Sequence, residues 1–174
     1  MIKIGPVGGA GTAWDDGGWF QISQIFVSHG NVIDSLQYQY IENGALVLSE
    51  KHGSNDGHTS AKFTVVTLDY PLEFLTAITG SYGWFSLVDG GQMQIVSSIT
   101  FYTNTKTYGP FGCHRPNDAV FDFQLGPDNE FGGFHGIAGM YLNSIGVYVK
   151  PRTSIPDVDK AEVPPEVQFT GLLQ

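Results

Sequence analysis

Three nine-residue stretches of the chain, 32–40, 95–103 and 141–149, align with one another without a gap. Each opens on two apolar residues, passes through a small polar one (Asp34, Ser97, Asn143) and a serine (Ser35, Ser98, Ser144), and continues as a β-type run. An internal repeat of this kind points to one structural unit built three times. The units are unevenly spaced along the chain, so their loops differ while their strands correspond. In two of them a glycine stands four residues ahead of the polar position, Gly30 before Asp34 and Gly139 before Asn143. The middle unit has Met93 there, preceded by Gly90 and Gly91.

The rest of the sequence agrees with an all-β domain. Helical periodicity is hard to find, whereas short alternating or β-rich runs recur between Gly, Asn, Asp and Ser clusters. The pattern predicts strands over 19–28, 32–40, 45–50, 61–68, 73–79, 84–88, 94–103, 119–125, 130–134 and 141–149. With 174 residues the chain holds one packed core, and 23 glycines beside only 14% charged residues imply many turns. Four of the nine prolines fall after Lys150, so 1–150 reads as the domain and 151–174 as a Pro-rich tail, either laid along a sheet edge at residues 167–169 or packed on the surface.

Charge and cysteine content exclude several functions. Eight Lys and Arg against 17 Asp and Glu give a formal charge of −9, which repels nucleic-acid backbones and anionic membrane surfaces. Cys113 is the single cysteine, so no internal disulfide framework exists, and the first residues lack the apolar stretch of a secretory signal; a cytoplasmic location is the expectation. Cys113 and His114 are neighbours that would point to opposite faces of a strand and could not form a dyad. His52, Asp56 and His58 have a loose metal-like spacing better read as a solvated loop. No phosphate loop, His-Glu-X-X-His or Gly-X-Ser-X-Gly motif occurs, and no metal, cofactor or catalysis is assigned.

A Gly-X-X-X-Asp segment leading into a strand forms a compact polar cup. The glycine permits a tight turn that leaves backbone N–H groups facing the concavity, and the side chain at the strand end supplies acceptors. Such a cup suits a polyhydroxylated sugar, whose hydroxyls both give and accept hydrogen bonds. A lone Gly-X-X-X-Asp would more often be only a hairpin turn; recurrence argues for shared architecture.

Residues 5–17 resemble the amino-terminal motif of jacalin-related lectins, 103–112 their central motif and 133–149 their closing segment, in family order over about residues 1–150. The resemblance implies an all-β fold, a β-prism of three four-stranded antiparallel sheets about a pseudo-threefold axis. It also implies a primary carbohydrate site at Gly11, Gly139, Met140, Tyr141 and Asn143. Asn143 stands where the family carries a carboxylate, and the first loop is one residue shorter than the family form. Replacing a charge-assisted bond by a neutral one costs roughly 1 kcal/mol, about fivefold in affinity.

A second site on another face of the prism is implied at Gly30, Asn31, Val32 and Asp34, with Gly53 from the neighbouring loop, while Ser97 makes the third cup structural. Tyr82, Trp84 and Phe85 lie in or beside the loop bordering the primary site, whereas Trp14, Trp19, Phe101 and Phe134 are expected in the interior. In the family an uncut strand before the glycine loop goes with mannose and glucose, which Met1-Ile2-Lys3-Ile4 resembles. The expected protein is thus a non-catalytic plant lectin for mannose/glucose-type glycans, pairing into homodimers to gain multivalency. The rival reading is a protein-interaction module on a prism that has lost sugar binding.

Overall fold

The computed structural model describes residues 1–18, 21–54, 62–126 and 129–151. Trp19, Asn55, Asp56, His58 and the tail beyond Pro151 lie outside them. The described elements are all strands: β1 (Ile2–Gly8), β2 (Thr12–Asp15), β3 (Gln21–His29), β4 (Ile33–Glu42), β5 (Ala45–Leu48), β6 (His52–Gly53), β7 (Lys62–Thr67), β8 (Leu75–Ser86), β9 (Gln92–Thr103), β10 (Thr107–Gly112), β11 (Ala119–Gln124), β12 (Asn129–Ala138) and β13 (Leu142–Pro151). They form three antiparallel sheets. One is ordered β1-β13-β12-β2 and so joins the two ends of the described chain; a second is β5-β4-β3-β7 with β6 also on β4; a third is β10-β9-β8-β11.

The repeat explains how these sheets share one core. Its second, fifth and seventh positions are Ile33, Val96 and Leu142; Leu36, Ile99 and Ile145; and Tyr38, Phe101 and Val147. All nine are completely buried in a single cluster, so the central strand of each sheet contributes the same three rungs. Phe134 fills the middle, its ring 5.2 Å from Tyr38 and 6.4 Å from Phe101. The first positions, Val32, Ile95 and Tyr141, form a separate small cluster that closes one end of the prism. Removing such side chains from water is the main favourable contribution to folding.

Between the first and second positions of this buried ladder and the fifth, the inward alternation breaks. β3 pairs Ser28 with Ser35 and then His29 with Ile33, skipping Asp34. β8 pairs Ser81 with Ser98 and then Tyr82 with Val96, skipping Ser97. β12 pairs Ile137 with Ser144 and then Ala138 with Leu142, skipping Asn143. Each unit therefore has a β-bulge at its polar residue, and a bulge re-aims the side chain that it carries.

Two features differ from the sequence pattern. Residues 73–79 and 84–88, read as separate strands, belong largely to the single strand β8, which runs through Gly80 and Gly83 because residues across from those positions leave no room for a side chain. β2, β6 and β10 were not among the predicted strands, and β1 carries the strand implied at residues 1–4 on through Pro6 to Gly8. β1 and β10 contain Pro6 and Pro110 but lie at sheet edges, where a missing N–H breaks no ladder bond. Cys113 and His114 follow the end of β10, so the expectation of opposite strand faces does not apply to them.

Candidate functional site

Three bulges and one closing cluster place all three cups at the same end of the prism, one per sheet. In the first and third units the loop closes on the same hydrogen bond: the Gly30 amide donates to the Val32 carbonyl at 3.0 Å, and the Gly139 amide to the Tyr141 carbonyl at 3.0 Å. A neighbouring strand closes each cup from the side. A Cβ on Gly53 would stand 2.1 Å from the Asp34 carbonyl oxygen, one on Gly8 2.2 Å from that of Asn143, and one on Gly112 2.1 Å from that of Ser97. All three glycines also have positive φ, so only glycine lets these backbones meet.

At the primary cup Asn143 is 2% exposed. Its Nδ2 donates to the Ala10 carbonyl at 3.0 Å, tying the glycine loop to the closing segment, while the Gly9 amide donates to the Asn143 carbonyl at 2.9 Å. Its Oδ1 has no partner among the described residues. Gly11 lies beside it, a Cβ there standing 3.7 Å from the Asn143 carboxamide carbon, and a Cβ on Gly139 would stand 3.8 Å from Oδ1. Tyr141 is buried in the closing cluster and Met140 is half exposed. Gly11, Gly139, Met140, Tyr141 and Asn143 thus lie together at this end of the prism. Leu87, Val88 and Asp89, from the β8–β9 hairpin tip, line a hollow of about 170 Å³ with Met140 and Tyr141. These tip residues had no motif to announce them.

At the first-unit cup Asp34 is also 2% exposed, and its Oδ2 has no partner among the described residues. Burial pushes its carboxyl pKa above the usual carboxylate value. Val32 is buried, Asn31 exposed, and Gly53 pairs with Ser35 directly beside the bulge. The wall behind Gly53 is anchored by His52, which shares a 2.6 Å hydrogen bond with Asp16 Oδ2; Tyr38 OH donates to the same oxygen at 2.7 Å. Trp14 stacks on the His52 ring at 3.6 Å, so it is partly buried at this junction between two sheets. Phe101 and Phe134 are fully interior, as expected.

The cup of the middle unit, at Ser97, differs. Arg115 Nη2 donates to Ser97 Oγ at 2.8 Å, its Nη1 donates to the Trp84 carbonyl at 3.0 Å, and its Nε reaches Asp118 Oδ2 at 3.3 Å. The guanidinium also lies 5.7 Å from the Phe85 ring centre. An internal cation therefore satisfies the one equivalent residue that lacks an amide or carboxylate. Of the bordering aromatics, Phe85 packs edge-on against Tyr141 at 5.5 Å, Tyr82 against the core, and Trp84 is 62% exposed. Among the described residues no group of three or more His, Cys, Asp or Glu is arranged to hold a metal ion.

A family model described as "Jacalin-like lectin domain" matches residues 4–148. The chain belongs to the jacalin-like lectin family. Among its relatives, the Arabidopsis thaliana "Protein RESTRICTED TEV MOVEMENT 1" is 41% identical over 167 residues, spanning 91% of this chain and 92% of that protein. The "Mannose/glucose-specific lectin" of Parkia pendula is 36% identical over 155 residues, spanning 88% of this chain and 33% of that one. The crystal structure of an artocarpin–mannotriose complex superposes with a TM-score of 0.77 at 33% identity, covering 86% of this chain and 97% of artocarpin. A mannose-specific jacalin-related lectin from Morus nigra, solved with mannose, matches with a TM-score of 0.76 at 34% identity over 86% and 94%. The three sheets of this jacalin-related chain are accordingly a β-prism.

Proposed function

We propose that the protein is a non-catalytic lectin for mannose/glucose-type glycans with two cups, centred on Asn143 and on Asp34. The observation that carries this reading is the pair of orphaned, buried acceptors at equivalent positions, Asn143 Oδ1 and Asp34 Oδ2. Leaving such groups unpaired costs about 1–3 kcal/mol each, a cost that ligand hydroxyls can relieve. Ser97, at the third equivalent position, has its partner inside the chain. Trp14 Nε1 and Ser144 Oγ are also unpaired but stand at neither cup position. Relatives described as mannose-specific or solved with mannose support the sugar class, and Arabidopsis and Parkia relatives support a plant source. A cytoplasmic location and pairing of two prisms complete the proposal, since two weak sites on one particle gain by effective concentration.

Titrating methyl α-mannoside and methyl α-galactoside into wild type and Asp34→Ala by calorimetry tests it. Mannoside heat that is reduced in the variant supports the reading; no heat from either sugar overturns it. A second reading, a protein-interaction module, is favoured by one observation: the Asn143 amide is already committed to Ala10, which leaves a single neutral acceptor in the primary cup. Absence of sugar binding is the result this second reading requires.

A further inference from the structure

The loop that carries the Asp34 cup has a second side. Gly30 and Asn31 also line an open hollow of about 510 Å³, shared with His29 and Lys62 of the β3–β7 pair and with Gly112 and Cys113 at the end of β10. Among the described residues no carboxylate lines this hollow, although Asp and Glu outnumber Lys and Arg by 17 to 8 in the chain. Lys62 forms no ion pair with a described residue, whereas Lys3, Lys106 and Arg115 are each paired with an acid. His29 and Lys62 are directly cross-strand partners, so their side chains stand side by side on one face.

The His29 ring is fixed by a 2.9 Å hydrogen bond with Thr64 Oγ1 and by packing 5.1 Å from Phe111. Burial, and then the neighbouring Lys62 charge, lower its pKa, so at neutral pH Lys62 supplies the positive charge of the hollow. Burial raises the Asp34 pKa. Neither Asp34 nor Lys62 forms an ion pair with a described residue, so one is left to accept hydroxyls and the other to meet an anion. The net charge of −9 does not forbid this, because at physiological salt charges beyond about 8 Å are screened while a contact with Lys62 is not.

We propose that the Asp34 cup and this hollow together bind an acidic saccharide, a hexose whose hydroxyls engage Asp34 and the loop amides while its phosphate or carboxylate substituent reaches Lys62. The proposal rests on the carbohydrate reading of the Asp34 cup and adds the anionic substituent to it. Amide-resolved NMR titrations with methyl α-mannoside, mannose 6-phosphate, glucuronic acid and inorganic phosphate, on wild type and Lys62→Gln at low and physiological salt, test it and separate the two anion types. The expected result is an acidic sugar bound about three- to tenfold more tightly than the neutral one, with shifts at Asn31 and Lys62, a preference weakened by salt and abolished in Lys62→Gln.

Equal affinities, or a preference that survives Lys62→Gln, overturn this inference and leave the carbohydrate reading standing. Binding of no sugar overturns the carbohydrate reading; inorganic phosphate shifting Asn31 and Lys62 in that case identifies an anion groove without a saccharide, which also overturns the composite ligand.

Discussion

Asp34 and Asn143 occupy the same bulge position and respond differently to substitution. Burial raises the Asp34 pKa, so the folded state takes up its proton more readily than the unfolded chain; the ionised carboxylate opposes folding above that pKa and ceases to do so as pH falls. Asp34→Asn is therefore expected to unfold at the same or a higher temperature in thermal melts at neutral pH. Mannoside affinity should drop about fivefold in calorimetry, through loss of a charge-assisted acceptor worth about 1 kcal/mol more than a neutral one. Asn143→Asp goes the other way. The amide that donates to the Ala10 carbonyl would become an oxygen facing an oxygen, and urea unfolding should show a loss of about 1–3 kcal/mol. Sequence alone presented Asn143 as a weakened acceptor; the contact makes it also the clasp of the glycine loop.

At the level of strands and turns, the cups depend on glycine and the opposite end of the prism on one buried acid. Gly53→Ala would place Cβ 2.1 Å from the Asp34 carbonyl at φ +100°. The β4–β6 contact must then open, with a stability loss above about 1 kcal/mol in urea unfolding and loss of sugar signal at the Asp34 cup. Glu73, just before β8, is 2% exposed. Burial alone would raise its pKa, but the Asp69 amide at 3.1 Å, Thr103 Oγ1 at 2.8 Å and Tyr108 OH at 3.0 Å bring it down to about 2. A depressed carboxylate pKa contributes stability above the unfolded value near 4.5 and loses it as pH falls toward 2. Glu73→Gln should remove that part of the acid sensitivity, a contribution of about 3 kcal/mol, read as a flatter plot of unfolding free energy between those pH values.

For the molecule as a whole, the outer face of the sheet β5-β4-β3-β7 exposes Leu46 and Leu48 near one edge and Phe63 and Val65 near the other, with Phe26 stacked 6.2 Å from Phe63. Exposed apolar area on a flat sheet is what a second prism would cover. Light scattering is expected to give about twice the 18.9 kDa chain mass, and Phe63→Glu to return it toward one chain; a wild-type monomer at working concentration removes the pairing. Which parts of this architecture were legible beforehand follows from where the information sits. The threefold repeat made the three equivalent cup positions legible, because apolar alternation and glycine spacing are written in neighbouring residues; the meeting of Gly11 with Asn143 was implied only by the family resemblance. The strand containing Pro110, and the continuation of β1 through Pro6, were hidden, since proline breaks a strand pattern unless the strand lies at an edge, and only tertiary pairing makes an edge. The same holds for Arg115 filling the third cup, the hairpin tip beside Tyr141 and Lys62 beside the Asp34 loop. Each brings together residues from separate strands or loops, and contacts of that kind leave no periodic trace in the chain; only folding places them side by side.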